Sequence, residues 1–116
     1  MSFKKIIFVK GNKYLIEPSK RENKKYDVHL VFNNKEMGIG VLKDNEFVKR
    51  YICSFGDSRY DDYTQHKDDL RKESYKSRHK NDYINNPNYA GFWSYWILWN
   101  KKTINESIKD VEKRFK

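Results

Sequence analysis

Cysteine is nearly absent. Cys53 stands alone among 116 residues, which excludes an intramolecular disulfide, and with only three histidines the chain has little material for a zinc site. A reducing compartment fits this usage. The chain has two prolines and five glycines and contains no repeat or low-complexity tract. No apolar run approaches the roughly 18–20 residues of a membrane span. The early run Ile6-Ile7-Phe8-Val9 is too short for a signal-peptide core and is cut off by Lys10. These gaps predict a soluble protein that is neither secreted nor inserted in a membrane. Also missing are a Walker-type glycine loop, a nucleophile elbow, a Cys-x-x-Cys pair and a His-Glu-x-x-His motif. The expectation is therefore a protein that is not an enzyme and has no cofactor, metal or small-molecule substrate.

What is present suits one folded domain over residues 1–116. Hydrophobic residues make up 37% and charged residues 35%, close to the disordered range, but 16% aromatics argue for a folded centre. The formal charge is +9 and lies at the ends. Residues 1–27 carry eight Lys/Arg against three Asp/Glu and residues 101–116 carry six against three, while the middle is nearly balanced. Such a balance favours an acidic partner, of which nucleic acid is the commonest.

The N-terminal half reads as strands. Ile6-Ile7-Phe8-Val9 and Tyr14-Leu15-Ile16 flank Gly11-Asn12, a pair suited to a type II′ turn, which predicts a hairpin within residues 1–18 ended by Pro18. Residues 19–25 are a polar, basic linker. Residues 26–55 hold further strands: 26–32 alternates Tyr26, Val28, Leu30 and Phe32 against Asp27, His29 and Val31. A weak strand over 37–42 follows a turn at Asn33-Asn34-Lys35, and another over 47–55 follows a turn at residues 43–46 and carries Cys53 as a small buried hydrophobe.

After Gly56-Asp57-Ser58 the character becomes helical. Asp62 or Thr64 can cap a charged helix over 62–80, with Asp68 and Asp69 near its start and Lys76, Arg78 and Lys80 near its end, matching the helix dipole. Residues 88–99 hold all three tryptophans. Tyr89, Phe92, Trp93, Trp96 and either Ile97 or Trp99 recur at helical spacing, with Pro87 in the first turn and Asn86 as a cap. Small Ala90, Gly91 and Ser94 would let another element come close. The last helix, 103–115, opens with the capping-box spacing of Thr103 and Glu106, and Ile104, Ile108, Val111 and Phe115 form its apolar stripe. The predicted fold is α+β: a small antiparallel β-sheet in the N-terminal half followed by three helices. Its core is Tyr89, Phe92, Trp93, Trp96, Trp99, Ile104, Ile108 and Val111.

The residues Asp62-Tyr63-Thr64-Gln65-His66-Lys67-Asp68, Arg71-Lys72, Tyr75, Arg78-His79, Ala90-Gly91-Phe92-Trp93-Ser94 and Trp96-Ile97-Leu98-Trp99-Asn100-Lys101 form a pattern. It resembles a small protein family of nucleocytoplasmic large DNA viruses, algal-virus and mimivirus-like, with no assigned activity. The similarity covers roughly residues 55–116; the N-terminal hairpin and residues 36–47 look added, and Tyr95 stands where a basic residue is expected. The Lys, Asn and Ile bias is similar to that of mimivirus-like viruses. The resemblance implies a viral protein placed in the virion, the host cytoplasm or the nucleus.

Two constellations could carry chemistry. His29, His66 and His79 evoke a ββα metal nuclease, but 37 residues separate His29 from His66 and no Asn lies at the right interval. The paired acids Asp61/Asp62 and Asp68/Asp69 suit solvated or dipole-complementing roles. The stronger candidate is the basic set Lys67, Arg71, Lys72, Arg78 and Lys80 interleaved with Tyr75. On one helix, Lys67, Arg71 and Arg78 would share a side, arginines gripping phosphate while the tyrosine stacks or donates. A solvated face is the plainer account of the same pattern. Nucleic acid is the leading partner; a minor capsid or scaffold role among viral structural proteins is the alternative.

Overall fold

A computed structural model of the chain describes residues 4–32 and 48–116. The turns and strand read over residues 33–46 lie outside the described residues. The fold is α+β. Four antiparallel strands, β1 (Lys5–Val9), β2 (Asn12–Pro18), β3 (Lys24–Phe32) and β4 (Val48–Asp57), form a sheet in the order β1-β2-β3-β4. Helices follow: α1 (Tyr63–His66), α2 (Asp69–His79), α3 (Ala90–Trp93), which runs into a π-helical turn over Ser94–Leu98, and α4 (Ile104–Arg114).

The hairpin forms where the sequence places it, with a different turn. Val9 pairs with Asn12, so the turn residues are Lys10 and Gly11, both at positive φ (52° and 82°), which makes it type I′. Turning at Gly11-Asn12 would set Lys10 opposite Lys13. Instead Lys13 faces Phe8, its ammonium 5.8 Å from the ring, and the like-charged cross-strand pair is avoided. The Lys10 N–H donates to the Phe115 carbonyl at 2.6 Å, tying the turn to the C-terminus. In β4, Tyr51 and Cys53 pair with neighbouring residues of β3, so Ile52 is an extra residue, a bulge.

One sheet face, with Ile7, Val9, Tyr14, Ile16, Val28 and Phe55, is sealed by the tryptophan segment and α4. Tyr14 meets Trp93 edge-on at 5.2 Å between centroids, and Phe115 meets both Phe92 and Trp96. The outer face carries exposed Ile6, Phe8 and Tyr51.

The expected 62–80 helix is two helices. Asp62 caps α1 in a full capping box with Gln65; Lys67 then takes a left-handed conformation (φ 57°), and Asp68 caps α2 by accepting from the Leu70 and Arg71 N–H groups. Two Asp caps six residues apart each satisfy orphan N–H groups, so the chain restarts rather than continuing.

The tryptophan helix also departs from expectation. It begins at Ala90, so Pro87 lies before it, and Asn86 accepts the Asn88 N–H in a turn instead of capping. The Pro87 and Ile84 carbonyls accept from the indole N–H groups of Trp93 (2.7 Å) and Trp96 (2.6 Å). From Ser94 the helix widens, the Trp99 N–H reaching back five residues to the Ser94 carbonyl at 3.2 Å. Tyr95, Trp96, Ile97 and Leu98 are therefore buried in succession, where a one-sided stripe was expected. Tyr89, expected in the core, is 45% exposed and stacks on Tyr83 at the surface. Trp99 and Ile104 are half-buried against the core, while Ile108 and Val111 lie within it. Thr103 caps α4 as its spacing predicts.

Candidate nucleic-acid interface

Helix α2 contains no buried residue, so both its flanks are available. Its inner edge is held by aromatic stacking. Tyr75 lies between His79 and Trp99, each 4.2 Å away by centroid, and Trp99 in turn meets His66 at 5.2 Å. The Tyr75 hydroxyl shares a hydrogen bond with Ser94; burial outweighs it and pushes the phenol up to about 12. Tyr75 therefore has no free ring face for a base, contrary to the role expected of it.

On one flank of α2, Lys72 and Lys76 converge with residues from two other segments. The Lys72 ammonium lies 4.8 Å from the Tyr63 ring, and Lys76 lies 5.1 Å from Tyr95 and 5.7 Å from Trp96. The Arg114 guanidinium, from the end of α4, sits 4.7 Å from the same Trp96 ring. Burial, followed by the charges of Lys72, Arg114 and Lys101, holds Lys76 below the usual lysine range; Asp110 opposes the effect. Burial works against the Asp110 carboxylate, but hydrogen bonds from Asn100 and Arg114 keep its pKa below the ordinary value. Lys76 thus shares its surroundings with three other cations and with one engaged carboxylate, Asp110. Trp96 and Tyr95 are almost fully covered, so this surface offers charge and donors rather than open rings for bases.

On the other flank, Arg71, Ser74 and Arg78 line a groove of about 740 Å³, whose far wall includes Lys24, Asp57, Tyr60 and Asp61. Neither arginine has an acid partner among the described residues.

The expected basic set is therefore divided. Arg71 and Arg78 share the groove flank, and Lys72 belongs to the opposite one. Lys67 falls outside α2, its ammonium bonded to the Thr64 carbonyl at 2.9 Å, because the chain breaks there. Lys80 stands just past the helix, exposed and lining neither flank. Lys76, Lys101 and Arg114 were not singled out as binding residues. The i, i+4 pair Lys72 and Lys76 was the available signal, since like charges at that spacing cost a few tenths of a kcal/mol without an anion.

The histidines do not assemble. His29 lies on the outer sheet face beside Glu17 and Tyr51, and burial with the Lys49 charge lowers its pKa. His66 and His79 flank the two ends of the Tyr75–Trp99 stack. Among the described residues, no three His, Cys, Asp or Glu stand together as a metal site, and no helix is long and apolar enough to cross a membrane.

A protein family of unknown function, DUF5754, matches residues 14–79, more than half of the chain. The chain belongs to this family. The DUF5754 match runs from β2 through α2, so it takes in both flanks of α2 and the strand ends facing the groove, and stops before the tryptophan segment. No curated protein and no solved structure matches the chain.

Proposed function

We propose that this DUF5754 protein is a non-enzymatic nucleic-acid-binding module of a large DNA virus. The observation that carries the reading is the meeting of Lys76 from α2 and Arg114 from α4 over the one Trp96 ring, with Lys72 and Lys101 adding positive charge around Lys76. A cluster of like charges around a lysine is unfavourable until an anion fills it, and a polyphosphate backbone supplies closely spaced anions. Because the rings beneath the cations are covered, the contact is to phosphate and independent of base sequence. The viral setting is supported by the likeness of the Asp62–Lys101 pattern to proteins of large DNA viruses, and the proposal extends to a location in the virion, the viral factory or the nucleus.

A second reading, a minor capsid or scaffold protein, draws on the outer sheet face, where Ile6, Phe8 and Tyr51 are 40%, 52% and 40% exposed. Gel retention of duplex DNA at about 50 mM salt separates the two, since phosphate binders hold at low ionic strength. Retention by the native protein, lost in Lys72→Ala/Lys76→Ala, supports the nucleic-acid reading. No retention of DNA or RNA transfers the weight to the scaffold.

A further inference from the structure

The groove on the other flank of α2 has a chemistry of its own. Its volume, about 740 Å³, is that of a small-molecule site. Its floor is apolar, with Phe55, Leu98 and Trp99 among the lining residues. Its acids are largely engaged: Asp57 is paired with Arg59 at 2.8 Å, Asp62 with Lys25 at 2.6 Å and Asp82 with His79 at 2.5 Å.

Along its α2 wall, Arg71, Ser74 and Arg78 follow at intervals of three and four residues, a row of donors about 10 Å long at 1.5 Å rise per residue. At the same wall the aromatic row Trp99, Tyr75, His79 comes to an end. His79 covers one face of Tyr75, its other ring face has no aromatic partner among the described residues, and its side chain is 37% exposed. Asp82 fixes the ring by its hydrogen bond to Nδ1. A partly exposed, oriented ring at the end of an aromatic stack accepts another flat ring, and arginines beside it hold a charged oxyanion.

We infer that this groove is a nucleoside phosphate site, the base continuing the stack on His79 and the phosphate held by Arg71 and Arg78. Asp61 on the far wall can accept from a base amino group or a ribose hydroxyl. The site is separate from the Lys72 and Lys76 flank. It also runs against the sequence-based expectation of no small-molecule ligand, because segments 24–25, 54–62 and 70–99 meet only in the fold.

Calorimetric titration of the whole protein, free of nucleic acid, with AMP, adenosine, inorganic phosphate and a poly-glutamate peptide tests it. The expected result is saturable AMP binding with Kd at or below about 1 mM, at least about tenfold tighter than adenosine or phosphate, since neither part alone uses both halves of the site. His79→Leu and Arg71→Ala/Arg78→Ala are each expected to weaken AMP about tenfold; the arginines are exposed, so the second variant reads the site without touching the core. AMP binding no tighter than phosphate, unchanged binding in the double arginine variant, or preference for poly-glutamate overturns the inference.

Discussion

The Tyr75 ring lies flat on Trp99, 4.2 Å between centroids and only 4° from parallel. This contact fastens a helix without buried residues to the end of the tryptophan segment, and it places one flank of α2 over the groove and the other beside Arg114 and Lys101.

Burial raises the Tyr75 phenol from 10.0 to about 12. A raised pKa in the folded state means the stabilisation is fully present below pH 10.0 and is lost as pH rises toward about 12. Tyr14, Tyr26 and Tyr63 are shifted in the same direction and share in the loss. Urea unfolding followed across that window should show the native protein losing stability, with a visibly smaller loss in Tyr75→Phe. Equal pH dependence in both would show that Tyr75 is not desolvated.

Trp96 is 9% exposed and donates to the Ile84 carbonyl. Trp96→Ala leaves a large cavity and an unpaired carbonyl, and should destabilise the fold by roughly 3–5 kcal/mol. A thermal midpoint equal to that of the native protein would place the ring outside the core.

At Gly91 the backbone of the 81–89 loop comes close: a Cβ there would collide with the Asp82 carbonyl oxygen. Gly91→Ala must push the 81–89 loop away, at a cost of about 1–3 kcal/mol by analogy with overpacked cores. Denaturant midpoints decide it, and a neutral outcome would mean that the loop yields freely.

Burial, followed by the Asp27 charge, pushes the Cys53 thiol up to about 12. At pH 8 only on the order of one molecule in ten thousand then holds the reactive thiolate. Alkylation by iodoacetamide should be slow in the native protein and fast after unfolding; comparable rates would place the thiol at the surface.

Local pattern was enough for β1 to β4 and for α4, since these depend on alternation and on a cap within a few positions. It failed where a choice depended on distant partners. The I′ turn at Lys10 is held by Phe115, over a hundred residues away. The break at Lys67 follows from competition between two caps, Asp62 and Asp68, either of which could have started one long helix. The π turn buries Tyr95, Trp96, Ile97 and Leu98 in succession, and no one-sided apolar stripe in the sequence announces it. Tyr75 reads as an interleaved aromatic on a basic helix until Trp99 is placed beneath it. The basic flank was half legible. Lys72 and Lys76 are one turn apart on α2, but Arg114 and Lys101 come beside Lys76 only once α4 packs across the tryptophan segment.

The salt dependence of DNA binding counts the phosphate contacts of the basic flank. If Lys72, Lys76, Lys101 and Arg114 each neutralise a phosphate, log affinity for duplex DNA falls linearly with log salt by about 0.9 per contact. Lys72→Ala/Lys76→Ala/Lys101→Ala/Arg114→Ala should then flatten the slope by about three and a half units while the far-ultraviolet circular dichroism stays native. A folded quadruple variant that binds duplex DNA with the unaltered slope would contradict the account.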